Sequence, residues 1–304
     1  MTEKKTERRS RRESRYTRTE RVERRRTRLF LIPSVLGVLI FFIAPLGVVL
    51  YQSLIANPFL PEFVGLQNFV SLLDNSAFLR ASRNTAVFSA VSVPLAVVIP
   101  LLFAMLLMKK IPMKSVFRTV LISPLMVPIA SVVLIWEVLF HYNGVVNDWL
   151  SVFGIMPIDW FKSDLSQLTI VLLFLWKNVG YNMILFMAAL AGIPKDVLEA
   201  AELDGAGAVR TFFKIKLPYL FSSIFFVGIL SLINSFKVFR EVYLLTGDYP
   251  YDTLYMLQHF MNNMFRSLDY QKLSCAAILM AIVVSLIIGV LIWIDDRLAR
   301  NIEE

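Results

Sequence analysis

The sequence predicts an all-α polytopic membrane protein with six transmembrane helices and both termini on the cytoplasmic side. Three observations carry that reading. The first is composition: of 304 residues, 57% are hydrophobic and 18% charged, and the mean hydropathy is +0.64. Soluble domains average roughly 45–50% apolar and about 25% charged residues, so a soluble fold of this length would lack a polar shell. The second is a set of six apolar windows, each long enough to cross a bilayer core. The third is an unequal division of Lys and Arg between alternate loops, which sets orientation.

In chain order, residues 1–28 form a basic arm. It holds 13 of the 31 Lys+Arg and 5 of the 23 Asp+Glu, so it carries the whole net charge of +8 and the other 276 residues are neutral. The arm lacks apolar periodicity and is expected to be disordered or loosely helical at the membrane surface, held by anionic lipid. Basicity confined to a tail does not argue for a nucleic-acid partner. The apolar run that follows is too long for a signal-peptide core and has no clean cleavage site.

Spans are expected near 29–51, 84–107, 117–140, 168–191, 219–241 and 274–294, making 29–304 one six-span domain. Pro94 and Pro100 in the second span, and Pro124 and Pro128 in the third, predict kinks rather than ends. The loops at 52–83 and 141–167 carry Phe59, Phe63, Phe69, Trp149 and Trp160, read as interfacial anchors. The side holding the arm, Lys109, Lys110, Lys114, Arg118, Lys195, Arg210, Lys214, Lys216, Arg297 and Arg300 has 23 basic residues. The other side has five: Arg80, Arg83, Lys162, Arg266 and Lys272.

Several chemistries are excluded. A single cysteine, Cys275, allows no intramolecular disulfide, and His141 and His259 do not make a His-rich metal centre. No glycine-rich phosphate loop occurs, and no pair of catalytic carboxylates clusters at one membrane depth. The chain is therefore expected to bind no cofactor or metal itself and not to be an enzyme.

The loop after the fourth span reads IPKDVLEAAELDGAGAVRTFFKIKLPYL over 193–220. Pro194 suits the first helical position, and Asp196, Glu199 and Glu202 complement the helix dipole over the first two turns. Val197, Leu198, Ala200 and Ala201 build a surface for close packing. Asp204–Gly205–Ala206–Gly207 ends the helix, and a second one over 208–216 runs into Leu217–Pro218. A helix, a sharp turn and a second helix are thus expected on the cytoplasmic face. A generic amphipathic connector would share that pattern.

Glu199–Ala200–Ala201, Gly205 and, after nine intervening residues, Ile215–Lys216–Leu217–Pro218 read EAA-x3-G-x9-I-x-L-P. This resembles the cytoplasmic signature of permease subunits of bacterial ATP-binding-cassette (ABC) importers and matches every defined position. The likeness extends over roughly 29–295. FVGLQNFVSLLDNSAFLRASRNT (63–85), NGVVNDWL (143–150), GYNMILFMAALAGIPKDVLEAAELDGAG (180–207) and VYLLTGDYP (242–250) resemble the carbohydrate branch, in its six-span lactose, arabinose and glycerol-3-phosphate form. One departure is Gly247–Asp248–Tyr249–Pro250, where the family often has Gly-Gly-Pro.

The resemblance implies a type I ABC importer permease fold in the bacterial inner membrane. It also implies a second homologous permease, two cytoplasmic ATPases that hold ATP and Mg, and an extracytoplasmic solute-binding protein. The coupling loop at 193–218 would enter a cleft of one ATPase and move as a lever. Glu199 would anchor it to a basic partner and Gly205 would allow close approach, with Ala200, Ala201, Asp204, Ile215, Leu217 and Pro218 completing the contact. The alternative for Glu199 is a solvated first-turn charge.

Polar groups within spans are candidates for the substrate pathway. In the fourth span these are Trp176, Lys177, Asn178, Tyr181 and Asn182, of which Asn178, Tyr181 and Asn182 share a helical face. The resemblance places substrate contacts near Phe174, Asn178 and Tyr181. In the fifth span, Asn234 and Ser235 lie at the corresponding depth, with Lys237 and Arg240 further along. Hydrogen bonding between helices is the alternative for all of them. Lys177 needs a counter-charge, and Glu137 lies at a comparable depth, so a buried Lys177–Glu137 pair is expected. Alternatively, Lys177, Lys237 and Arg240 make the cavity cationic and suit an acidic sugar or phosphorylated polyol. The competing class is an ion-coupled secondary transporter or channel, in which Glu137 and Lys177 would carry the coupling. The absence of an internal repeat stands against it.

Overall fold

The computed structural model describes residues 30–58, 62–109 and 111–303, with side chains described to residue 298. The basic arm, Phe59 and Lys110 lie outside the described residues, as does the side chain of Arg300.

Five helices are long and apolar enough to cross a membrane, and a sharply bent pair makes a sixth. In chain order these are α1 (Phe30–Ser53), then a short α2 (Gln67–Leu73) and the long α3 (Ser76–Met108). The bent pair is α4 (Lys114–Met126) and α5 (Ile129–Leu139), followed by a short α6 (Val145–Ser151) and the span α7 (Ser166–Ala191). After the short helix α8 (Lys195–Leu203), the chain runs through Ala208–Thr211 and a π-helical turn, Phe212–Lys216, into α9 (Leu217–Lys237). The last elements are α10 (Phe239–Thr246), α11 (Leu257–Arg266) and α12 (Tyr270–Glu303). The described residues contain one isolated β-bridge, Ile55 to Phe63, and no strand.

The prolines explain which spans stay whole. A proline inside a helix frees the carbonyl four residues back, and at two prolines a substitute donor meets it. Pro100 frees the carbonyl of Ala96, and the Asn182 amide of α7 donates to it at 2.7 Å. Pro124 frees that of Val120, and the neighbouring Ser123 hydroxyl donates to it at 2.9 Å. Pro94 also sits within the unbroken α3, which starts where the Asn75 side chain accepts the Phe78 amide at 3.0 Å. The expectation of kinks fails at Pro128. Val127, pushed to extended φ −80°, ψ 128°, ends α4, and α5 leaves at 106°. The cause is the clash of a proline ring with a preceding helical residue.

The core is the seam of α3, α7 and α9. Phe88, Ala96, Ile170, Phe174 and Val179 bury one stretch of it, and Leu101, Ala104, Met183, Phe186, Leu220 and Val227 the next. Between membrane spans such contacts act through van der Waals packing, because lipid tails are as apolar as the core they replace. At Gly180 the backbones of α7 and α4 touch: an added Cβ would stand 2.0 Å from the Leu121 carbonyl oxygen. The bent span therefore needs glycine at that position.

By contrast, α1 shows its apolar side chains to the outside from Phe30 to Leu50 and meets α12 near Ser53, whose carbonyl oxygen faces the Cys275 thiol at 3.7 Å. The loop aromatics divide. Trp149 and Phe63 are exposed as anchors would be, but Trp160 is buried, its indole N–H donating to Asn147 at 2.9 Å.

Candidate functional site

Two regions collect the polar and exposed groups that the packing leaves over. The first is a cavity of about 200 Å³ where two helix interruptions meet, the α4–α5 bend and the Val238 break between α9 and α10. Leu125 and Ile129 flank the bend, Leu173, Phe174, Lys177 and Asn178 come from α7, and Asn234, Lys237, Val238, Arg240 and Glu241 from the α9–α10 break. The Asn178 amide back-bonds to the Phe174 carbonyl at 2.8 Å, and its side-chain oxygen accepts from Asn234 at 3.1 Å. These two bonds fix the amide orientation across α7 and α9.

Lys177 is paired, but not as expected. Its ammonium donates to Glu241 Oε1, while Glu137 is exposed on α5. Glu241 is 5% exposed, and its other oxygen, Oε2, is buried without a hydrogen-bond partner among the described residues. Sequence reasoning missed Glu241. The available signal was that it is the single carboxylate between 208 and 246 and follows Lys237 by four residues. Lys237 and Arg240 have no ion pair among the described residues.

Phe174, Lys177, Asn178, Asn234 and Lys237 thus meet as the sequence suggested. Four others do not join them. Asn182 is locked between helices, donating to Ala96 and to the Ser231 hydroxyl at 3.0 Å. Ser235 is bonded to the Ser89 hydroxyl at 2.9 Å and to the Leu232 carbonyl. Trp176 packs edge-on against Trp136, and Tyr181 is 38% exposed, both away from the cavity wall. Helical periodicity places Asn178 and Asn182 on one face, and α9 runs along it, meeting Asn178 through Asn234 and Asn182 through Ser231.

The segment that follows α10 is clamped. Asp252 is bound by Arg80, and its carbonyl accepts from Asn84 at 2.6 Å. Asp248 is bound by Arg266 of α11. Also in α11, His259 is fully buried with its ring 4.7 Å from that of Phe239. Burial lowers its pKa to about 4, an effect the Asp248 charge opposes only in part.

The second region is the 193–218 loop, which the sequence marks as a candidate coupling loop. Pro194 precedes the helix instead of opening it, with ψ 133°, and Lys195 is the first helical residue. Ala201 is buried, and Ile193 and Leu198 join the Leu101–Leu107–Phe186–Leu190 cluster. The helix ends in a Schellman motif: Ala206 N–H reaches the Ala201 carbonyl at 2.9 Å and Gly205 N–H the Glu202 carbonyl at 3.0 Å. Gly205 supplies φ +70° for it. The spacing from Ala201 to Gly205 in the signature is the spacing this stop requires. Glu199, Ala200, Asp204 and Gly205 are exposed, while Ile215, Leu217 and Pro218 are half-buried where the loop re-enters the core. Leu203 is 89% exposed, Val209 72% and Phe213 60%. Gly207, Val209, Arg210, Phe213 and Lys214 line a hollow on this surface.

Residues 85–304 match the family described as binding-protein-dependent transport system inner membrane component. The chain belongs to that family. The permease is 34% identical over 227 residues to the trehalose/maltose transport system permease protein MalF of Thermococcus litoralis, covering 73% of this chain and 77% of that one. It is 32% identical over 267 residues to the sn-glycerol-3-phosphate permease UgpA of Yersinia pestis, covering 86% and 90%. In fold it is similar to a chain of a bacterial ABC transporter involved in import of the acidic polysaccharide alginate, with TM-score 0.79, 22% identity and 92% and 99% coverage. A second structure, with an alginate pentasaccharide-bound periplasmic protein, matches at the same TM-score. The permease is therefore a transport subunit of an ABC importer rather than an enzyme, and the ion-coupled transporter reading falls away.

Proposed function

We propose that this permease pairs with a second homologous permease above two ABC ATPases and imports a carbohydrate or polyol bearing an anionic group, delivered by a solute-binding protein. The observation that carries the substrate class is the cavity, where Lys177, Lys237 and Arg240 face a single carboxylate, Glu241. Lys237 and Arg240 are exposed where they line this space, an excess of cations along a cleft favours an anionic ligand, and the amides of Asn178 and Asn234 suit hydroxyl groups. The relatives named for trehalose/maltose and for sn-glycerol-3-phosphate both handle polyhydroxylated molecules, one of them anionic.

In this reading the coupling loop and both termini face the cytoplasm, in keeping with the division of basic residues. ATP and Mg sit on the ATPases, and none is held by this chain. Closure of the ATPases pushes α8, and Ile193 and Leu198 pass the displacement into the core beneath α3 and α7. The break at Val238 and the bend at Val127–Pro128 are where the cavity walls change angle. Uptake by the reconstituted importer of neutral against uronic-acid oligosaccharides tests the substrate class. Faster uptake of the acidic series is expected, and equal uptake removes the anionic reading.

A further inference from the structure

Glu241 is the one cavity residue whose hydrogen bonding is half complete. It is 95% buried, Oε1 binds the Lys177 ammonium, and Oε2 has no partner among the described residues. A buried carboxylate oxygen left without a donor is costly, and such an orphan beside a cavity marks a place where a ligand donor fits. Its surroundings carry charge of the opposite sign, since Lys237 and Arg240 line the same space without ion pairs among the described residues.

We propose that Glu241 is a specificity-determining residue of the pathway with two tasks. Its Oε2 accepts a hydroxyl of the cargo. Its Oε1 occupies Lys177 in the empty cavity, as an internal stand-in for the anionic group of the cargo. A cargo carboxylate or phosphate enters against Lys237 and Arg240 and competes with Glu241 for Lys177. A neutral sugar can use the hydroxyl acceptor and the amides but has no group to draw Lys177 from Glu241. Glu241 therefore reduces the preference for anions that three cations would otherwise impose, and it makes release possible because Lys177 returns to its own partner.

The pair is well placed for this exchange. Lys177 stands on α7, whose neighbour Gly180 is pinned to α4, whereas Glu241 lies in the first turn of α10, beyond the Val238 break. The carboxylate thus belongs to the short element and the ammonium to the fixed one. If the pair only held helices together, removing either member would act alike on every cargo.

This inference rests on the anionic reading above, and its test separates the two. The assembled importer in nanodiscs, without its binding protein, is titrated with methyl glucuronide and methyl glucoside by saturation-transfer NMR, and the ratio of their affinities is measured. Glu241→Gln frees Lys177 and is expected to raise the glucuronide-to-glucoside ratio roughly tenfold, as removal of one nearby charge would. Lys177→Gln is expected to lower it by a similar factor, and Glu241→Asp to stay near the native value. A ratio unmoved by both neutral variants, or losses equal for the two probes, overturns the proposal. If the native importer shows no preference for the glucuronide but Glu241→Gln still raises the ratio, the anionic reading fails while the role of Glu241 stands. Co-purification of the ATPases with each variant checks assembly, and should Glu241→Gln fail to assemble, the opposite shift in Lys177→Gln decides the matter.

Discussion

The cavity and the coupling loop invert the usual placement of residues in opposite senses. In the cavity, an ion pair is enclosed: Glu241 and Lys177 meet inside the helix bundle, with the exposed cations Lys237 and Arg240 lining the same space. On the coupling loop, large apolar groups are exposed, with Leu203, Val209 and Phe213 standing clear of the surface. Ionisable groups within membrane helices are retained for function, and clustered exposed apolar side chains mark protein contacts. The difference fits the two proposed roles, a small polar cargo at the cavity and another protein at the loop.

Variants in the two regions should separate cleanly. The largest effect is expected on the loop. Phe213→Asp or Leu203→Asp should lower association with the ATPases at least tenfold each, since burying such a side chain contributes roughly 1.5–3 kcal/mol. Gly205→Pro, which removes the donor to Glu202 and the required φ, should abolish co-purification. None of the three should move the unfolding midpoint of the permease in detergent by more than a degree or two, and a large drop would show the loop to be part of the core.

Acid should act on α11 instead. The His259 pKa of about 4 lies below the usual 6.5, so the unfolded state binds the proton more readily. The stability this gives is whole above pH 6.5 and is lost as the pH falls to about 4, a change of about 3 kcal/mol. Detergent unfolding between pH 7 and 4 should show that slope, and His259→Phe should flatten it. Next in size, Gly180→Ala should cost about 2–3 kcal/mol, because its Cβ meets the Leu121 backbone. Full native stability in that variant would mean α4 is not held where the cavity needs it. Smallest, Asn182→Ala should cost about 1 kcal/mol by stranding the Ala96 carbonyl, with ATPase association unchanged.

Much of this was legible in the sequence, for particular reasons. The spans follow from apolar length, and the coupling helix from the dense local signals between Pro194 and Pro218. The stop at Gly205 was readable because a Schellman end involves only residues 201–206. What was not legible depended on long-range packing. Asn178 and Asn182 look equivalent in periodicity, yet one lines the cavity and the other repairs the Pro100 gap. Glu137 appeared to match Lys177 in depth only if the third span ran straight. The 106° bend at Pro128 carries it away and leaves Glu241 as the partner. Depth counted along a chain fails wherever a helix breaks, and the cavity lies where two do.

The central claim is that the 193–218 loop is the surface on which the ATPases act. It is tested most directly by cysteine cross-linking in the assembled importer. In a Cys275→Ser background, Leu203→Cys and Tyr249→Cys place single thiols at exposed positions on the coupling loop and on the clamped segment after α10. A short bifunctional reagent should join Leu203→Cys to the ATPase subunit, with a yield that changes when ATP is added, and should leave Tyr249→Cys unlinked. Linking of Tyr249→Cys to the ATPase, with Leu203→Cys unreactive towards it, would contradict the account.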